Sequence, residues 1–348
     1  MTLQEKLEGK KILLLSVQTF NYEILIANQL RKFGVHVDYY DERPVNSFFA
    51  KGIIRLKRSI YQKRIDKYYK RILKDTAPVN YDYLFVIRGE VVPAFFLKEF
   101  KKQNSECFFL FYTWDAFSNH THPISILKYF DKCFTFDSND AIKYQINFRP
   151  LFYIEKYGEL NNLSFTEYKY NLLFIGTAHS DRYIISNDIV NWCNSHDLNS
   201  FTYYFMHGRL VFLFKKFFDS SFKNFDYKKL RFKSLTIDEI LDLYKKSAVI
   251  LDINHPGQIA LTMRTFEALG AGKKIITTNN VIKKYPFYNE NNVYIIDRKN
   301  PILELDFFQT PFLPITGELR NKMSLNGWLD ELFSEEKVNY WNDVIVNS

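Results

Sequence analysis

An arginine and a glutamate three residues apart, Arg264 and Glu267, stand in the stretch His255-Pro-Gly-Gln-Ile-Ala-Leu-Thr-Met-Arg264-Thr-Phe-Glu267-Ala-Leu-Gly-Ala-Gly272. On a helix that spacing puts both side chains on one face. An ionised carboxylate accepts hydrogen bonds from both hydroxyls of a vicinal diol, and a neighbouring guanidinium orients it or contacts phosphate. The loop with His255, Gly257 and Gln258 runs into a helix expected over Leu261–Leu269, whose first turn, with Thr262, offers unpaired N–H groups and a partial positive charge suited to a diphosphate. The alternative is an exposed i,i+3 ion pair, worth about 0.2–0.5 kcal/mol.

Three further groups follow apolar runs. Phe174-Ile-Gly176-Thr177 ends one such run, and a glycine there lets a phosphate or sugar approach the backbone, or simply makes a turn. His179 and Arg182 come next and can supply charge. Asp115, beside Trp114, and Glu90, two residues after Arg88, are candidate general bases, with Trp114 placed to stack on a sugar. Glu90 has a second use as the ion-pair partner of Arg88. His120 and His122 share the Asp115 loop as further bases.

These residues need strands to present them. Short apolar runs alternate with longer helical patterns, which specifies α/β architecture with parallel sheets. One series runs from Lys11-Ile-Leu-Leu-Leu-Ser-Val through Tyr83-Leu-Phe-Val-Ile to Cys133-Phe-Thr-Phe-Asp. A second begins at Tyr170-Asn-Leu-Leu-Phe-Ile and closes at Val293-Tyr-Ile-Ile-Asp. Thr236 and Glu239 have capping-box spacing. The expected organisation is two Rossmann-like domains facing a cleft, residues 1–156 and 169–318. A helical tail, 319–348, packs back on the first. Ligands of open parallel sheets sit at the carboxyl ends of the strands, where the candidate residues fall.

The run Arg264-Thr-Phe-Glu267-Ala-Leu-Gly-Ala-Gly272-Lys-Lys-Ile-Ile-Thr-Thr resembles the donor-binding signature of GT-B glycosyltransferases, most closely the CgeB-like and surface-polysaccharide group. The resemblance implies a nucleotide-sugar donor, with Glu267 on the nucleotide ribose. It also implies a saccharide or lipid-linked acceptor bound by the first domain. Many retaining members carry a second glutamate eight residues earlier, where this chain has Ile259. Asp-x-Asp is absent, which fits a metal-free site with no cofactor beyond the substrate. A nucleotide-sugar epimerase, a polyol-phosphate transferase or a degenerate adaptor of a polysaccharide-synthesis complex would use the same fold.

Composition narrows the partners. The chain has 348 residues, a formal charge of +8, 34 Phe and 24 Tyr. No GxGxxG, Walker A, GxSxG or HExxH occurs, and no nucleic-acid-binding motif, so nucleic acid is not an expected partner. The basic segment from Lys51 to Lys74, with Ile53, Ile54, Ile60, Ile65 and Ile72 interspersed, reads either as a helix lying on an anionic membrane or as a solvated helix face. Phe212-Leu-Phe-Lys-Lys-Phe-Phe mixes aromatics and lysines in the same way. Three cysteines without CxxC read as buried thiols. With no signal-like segment, a cytoplasmic location is expected, peripheral on the inner face of the membrane if the basic helix binds it.

Overall fold

A computed structural model describes residues 2–46, 58–161, 168–178, 181–218, 222, 225–335, 340, 341, 344 and 345. His179 and residues 51–57 of the basic segment lie outside them. The chain forms two compact units, Met1–Pro150 with Trp328–Ser348, and Leu151–Gly327.

Unit 1 holds a six-stranded parallel sheet of β1 (Lys11–Ser16), β2 (His36–Asp41), β3 (Tyr83–Ile87), β4 (Phe108–Thr113), β5 (Lys132–Thr135) and β6 (Asn147–Phe148), in the order β2-β1-β3-β4-β5-β6. The inner strands are near-continuous apolar runs because helices cover both faces of a parallel sheet. Those helices are α1 (Leu3–Leu7), α2 (Tyr22–Lys32), α3 (Gln62–Thr76), α4 (Ala94–Gln103) and α5 (Ser138–Tyr144). The basic segment contributes α3. Its Ile65, Tyr69, Ile72 and Leu73 are buried in the unit 1 core, so the helix offers solvent its charges and keeps its apolar face inside.

The last stretch of chain completes this unit. Helix α13 (Leu325–Phe333) brings Trp328 onto Tyr112, with ring centroids 4.7 Å apart. Arg149 and Glu331, fully buried, form an ion pair, and Trp341 Nε1 donates to Glu331 at 3.1 Å.

Unit 2 repeats the plan with β7 (Tyr170–Thr177), β8 (Ser200–Phe205), β9 (Leu230–Arg231), β10 (Ser247–Asp252), β11 (Lys274–Thr277) and β12 (Val293–Ile295), ordered β12-β11-β10-β7-β8-β9, again all parallel. Its helices are α6 (Glu155–Leu160), α7 (Arg182–Ser195), α8 (Arg209–Phe218), α9 (Ile237–Lys245), α10 (Met263–Gly270), α11 (Leu305–Gln309) and α12 (Gly317–Lys322). The Thr236/Glu239 capping box starts α9. Unit 2 begins at Leu151, ahead of the expected boundary after residue 156, because the segment around α6 packs there. The Tyr153 ring lies where a Cβ on Gly270 would sit, and Tyr157 meets Tyr244 edge-on at 5.1 Å. Two residues past α10 stands Gly272, whose φ of +67° needs glycine. All three cysteines are free and buried, and burial pushes each thiol up to about 12.

Candidate active site

The carboxyl ends of β7, β10 and β11 bring the second unit's charged residues together. The sheet places Asp252 at the last position of β10, where it is 1% exposed. Its Oδ2 accepts from Thr262 Oγ1 at 2.6 Å and from Thr265 Oγ1 at 2.9 Å, and Arg264 Nη1 lies 3.6 Å from Oδ1. One buried carboxylate thus fixes the first turn of α10. Thr262 is the N-cap by position, yet its hydroxyl is committed to Asp252 and makes no cap bond. The opening N–H groups of α10 therefore have no side-chain cap to satisfy them.

Arg182 opens α7 and donates from Nε to the Ile253 carbonyl at 2.7 Å. Burial, and next the nearby charge of Arg264, push its guanidinium down to about 10. Among the described residues, its terminal nitrogens meet no protein acceptor. Two arginines close enough to repel, one of them short of acceptors, make a site suited to an anion. Arg264 itself is held above its ordinary value: burial opposes its charge, but Asp252, Tyr244 and Glu267 outweigh burial. Glu267, 9% exposed, sits one turn along the same helix, so this pair is not the exposed ion pair of the alternative. Phe266 and Leu269 anchor the helix in the core.

The remaining donor-site candidates are arranged around this centre. Gly176 and Thr177 end β7; the Phe174 ring lies over Gly176, 2.7 Å from where a Cβ would stand, so ring packing already requires the glycine. His255 and Gly257 are exposed in the loop after β10, and Gln258 closes that loop by donating to Ala260 O at 3.0 Å. Ile259 is 42% exposed in the same loop.

Sequence reasoning missed the part that ties these loops. Arg298 grips Asp181 with two bonds from Nη1, at 2.7 and 2.8 Å, and through Nη2 donates to Asn254 O at 2.8 Å and Asn254 Oδ1 at 2.7 Å. Asn254 in turn accepts from Thr278 Oγ1 at 2.7 Å. The loops after β7, β10 and β11 are thereby joined through one guanidinium. Asp252 carried a weak signal, a lone carboxylate ending an apolar run; Arg298 carried none.

Unit 1 has its own buried charge cluster. After β3 the chain passes through two left-handed residues, Arg88 at φ +88° and Gly89 at φ +68°. This strained turn points the Gly89 and Glu90 N–H groups at Glu42, which accepts them at 3.0 and 2.6 Å. Glu42 is fully buried, and burial with the Glu90 charge pushes it up to about 8. Glu90 pairs with Arg43 and lies 3.6 Å from Arg88, and those cations hold it low against burial. Asp115 accepts from Arg88 Nη2 at 2.9 Å and from Asn119 Nδ2 at 2.8 Å, with His120 Nε2 at 3.3 Å. Burial favours protonation, but His120, Arg88 and Asn119 outweigh it and hold Asp115 below the usual carboxylate range. Glu90 and Asp115 thus belong to one network through Arg88. His122 lies apart from it, bonded to the Val92 carbonyl at 2.8 Å.

No family model and no curated protein matches the chain. Solved structures match it along nearly its whole length. A glycosyltransferase from Rickettsia africae aligns with a TM-score of 0.53 at 14% identity, over 97% of this chain and 99% of that one. HepE from Anabaena, in complex with UDP and glucose, gives 0.51 at 9% identity over 97% and 98%. The N-terminal domain of the Candida albicans trehalose-6-phosphate phosphatase gives 0.53 at 9% identity over 98% and 96%. The fold is of the GT-B type. At such low identity the GT-B-type likeness covers architecture alone, and chemistry must be argued from the residues above.

Proposed function

We propose that this chain transfers a sugar from a nucleotide-sugar donor to a saccharide or lipid-linked saccharide acceptor in surface-polysaccharide synthesis. The observation that carries this is the pairing of Arg182 and Arg264 beside the uncapped start of α10. A leaving nucleoside diphosphate gains negative charge as the glycosidic bond breaks, and fixed cations with free N–H groups stabilise that charge where it develops. The same arrangement supplies the role a metal would otherwise fill. Glu267, on the same helix, takes the ribose diol. His255, Gly257, Gln258, Gly176 and Thr177 border the donor. HepE, of the same fold, holds UDP and glucose, which supports a uridine nucleotide as the first to try.

In unit 1, Asp115 is the base. The acceptor oxygen bonds to the anomeric carbon, the bond to the diphosphate breaks, and the hydroxyl proton passes to the Asp115 carboxylate. Arg88, Asn119 and His120 keep that carboxylate ionised and aimed. Glu90 holds Arg88 in place.

Incubating the protein with nucleotide-sugars and a lipid-linked acceptor tests the proposal. Free nucleotide with an extended acceptor is the expected product. Donor isomerised without transfer would replace it with epimerisation, and no thermal response to any nucleotide would favour an adaptor.

A further inference from the structure

Helix α8 carries most of its apolar residues on the side away from the core. Phe212, 3% exposed, and Val211 pack on unit 2. Leu210, Leu213, Phe214, Phe217 and Phe218 are exposed by 80, 49, 65, 81 and 76%. Their spacings of three and four place all five on one stripe, facing away from Phe212. Such a contiguous exposed stripe marks an interaction surface.

Charge identifies the partner. Arg209 and Lys216 border one side of the stripe and Lys215 the other, and α8 holds no carboxylate. Residues 209–233 contain eight Lys or Arg against two Asp, a surplus of six in a chain whose net charge is +8. Lys228, Arg231 and Lys233 of that segment are exposed. A second copy of the chain would bring the same surplus against itself, whereas an anionic surface neutralises it. At ten residues α8 is about 15 Å long. A bilayer's hydrocarbon is about 30 Å thick, so the helix lies in the boundary without crossing it.

We propose that α8 docks the protein on an anionic lipid bilayer. The rings of Phe214 and Phe217 enter the headgroup–acyl boundary, while Arg209, Lys215 and Lys216 extend their stems along it and pair with lipid phosphates. This rests on α8 and the basic segment that follows it, and stands whether or not the chain transfers sugars.

Sedimentation of the full chain with vesicles decides it, using phosphatidylcholine alone and phosphatidylcholine with roughly 30 mol% phosphatidylglycerol. Binding to the anionic vesicles is expected, at least about tenfold weaker on the neutral ones and weakened by salt. Phe214→Asp with Phe217→Asp should lower it at least about tenfold, with thermal unfolding unchanged because both rings are exposed. Lys215→Gln with Lys216→Gln should weaken binding and flatten its salt dependence, an independent check should the first variant fold poorly. Wild-type protein left in the supernatant, or variants that bind like it, would overturn the proposal. So would a lipid-free dimer that the phenylalanine variant converts to monomer, which assigns the stripe to a second copy.

Discussion

Asp252, at the end of β10, and Glu267, on α10, do different work. Asp252 accepts through Oδ2 from Thr262 and Thr265 and pairs with Arg264 by charge at 3.6 Å, so it builds the first turn of α10. Glu267→Ala should leave the fold intact and raise the donor KM roughly ten- to a hundredfold, the worth of a charge-assisted hydrogen bond; steady-state kinetics with the identified donor would show it. Asp115→Asn should lower kcat by about 10²–10⁴ with nucleotide affinity kept, and near-normal turnover would remove it as the base. Glu42 gives a pH signature. Protonated, it leaves Glu90 and Asp115 balanced by Arg43 and Arg88; ionised, it leaves the cluster one charge in excess. Its folded value of about 8 stands above the ordinary 4.5, so its stabilising contribution is complete below about 4.5 and is lost as pH rises through about 8. Tm should fall across that window, and Glu42→Gln should flatten the fall while lowering Tm at acid pH by removing one acceptor.

At the scale of elements, the strands were legible because parallel strands buried on both faces are unbroken apolar runs, as in Tyr83–Ile87 and Phe108–Thr113. The helix expected from Leu261 starts two residues later, at Met263. Thr262 is the true N-cap, but its hydroxyl turns to a strand residue ten positions back and gives no capping bond. Helix α3 showed its amphipathic pattern plainly, though the pattern alone does not say whether a core or a bilayer takes the apolar face. Of the site, Arg264, Glu267 and Arg182 could be found by motif and position. Arg298 could not, since its partner Asp181 lies 117 residues away and nothing local marks either. The buried pair of Arg149 and Glu331 was equally hidden. Glu331→Ala strands a fully buried guanidinium and should cost about 3–5 kcal/mol, read as a lowered urea midpoint.

For the molecule as a whole, the two parallel sheets have separate duties under the proposed function, donor on unit 2 and base on unit 1. Nucleotide alone should then slow amide hydrogen exchange around residues 182 and 252–267 and leave the unit 1 cluster unchanged. Protection near Glu42 and Glu90 without protection in α10 would move the nucleotide to the other unit. No described helix is long and apolar enough to cross a membrane. Unit 1 is also discontinuous, since residues 328–348 complete what residues 1–150 begin. During synthesis, then, the first sheet leaves the ribosome with Arg149 still lacking its carboxylate and Tyr112 uncovered. Unit 2 is fully translated before that gap can close. Any stop codon or proteolytic cut just ahead of Trp328 would spare the later unit and leave the earlier one as the client that chaperones must hold.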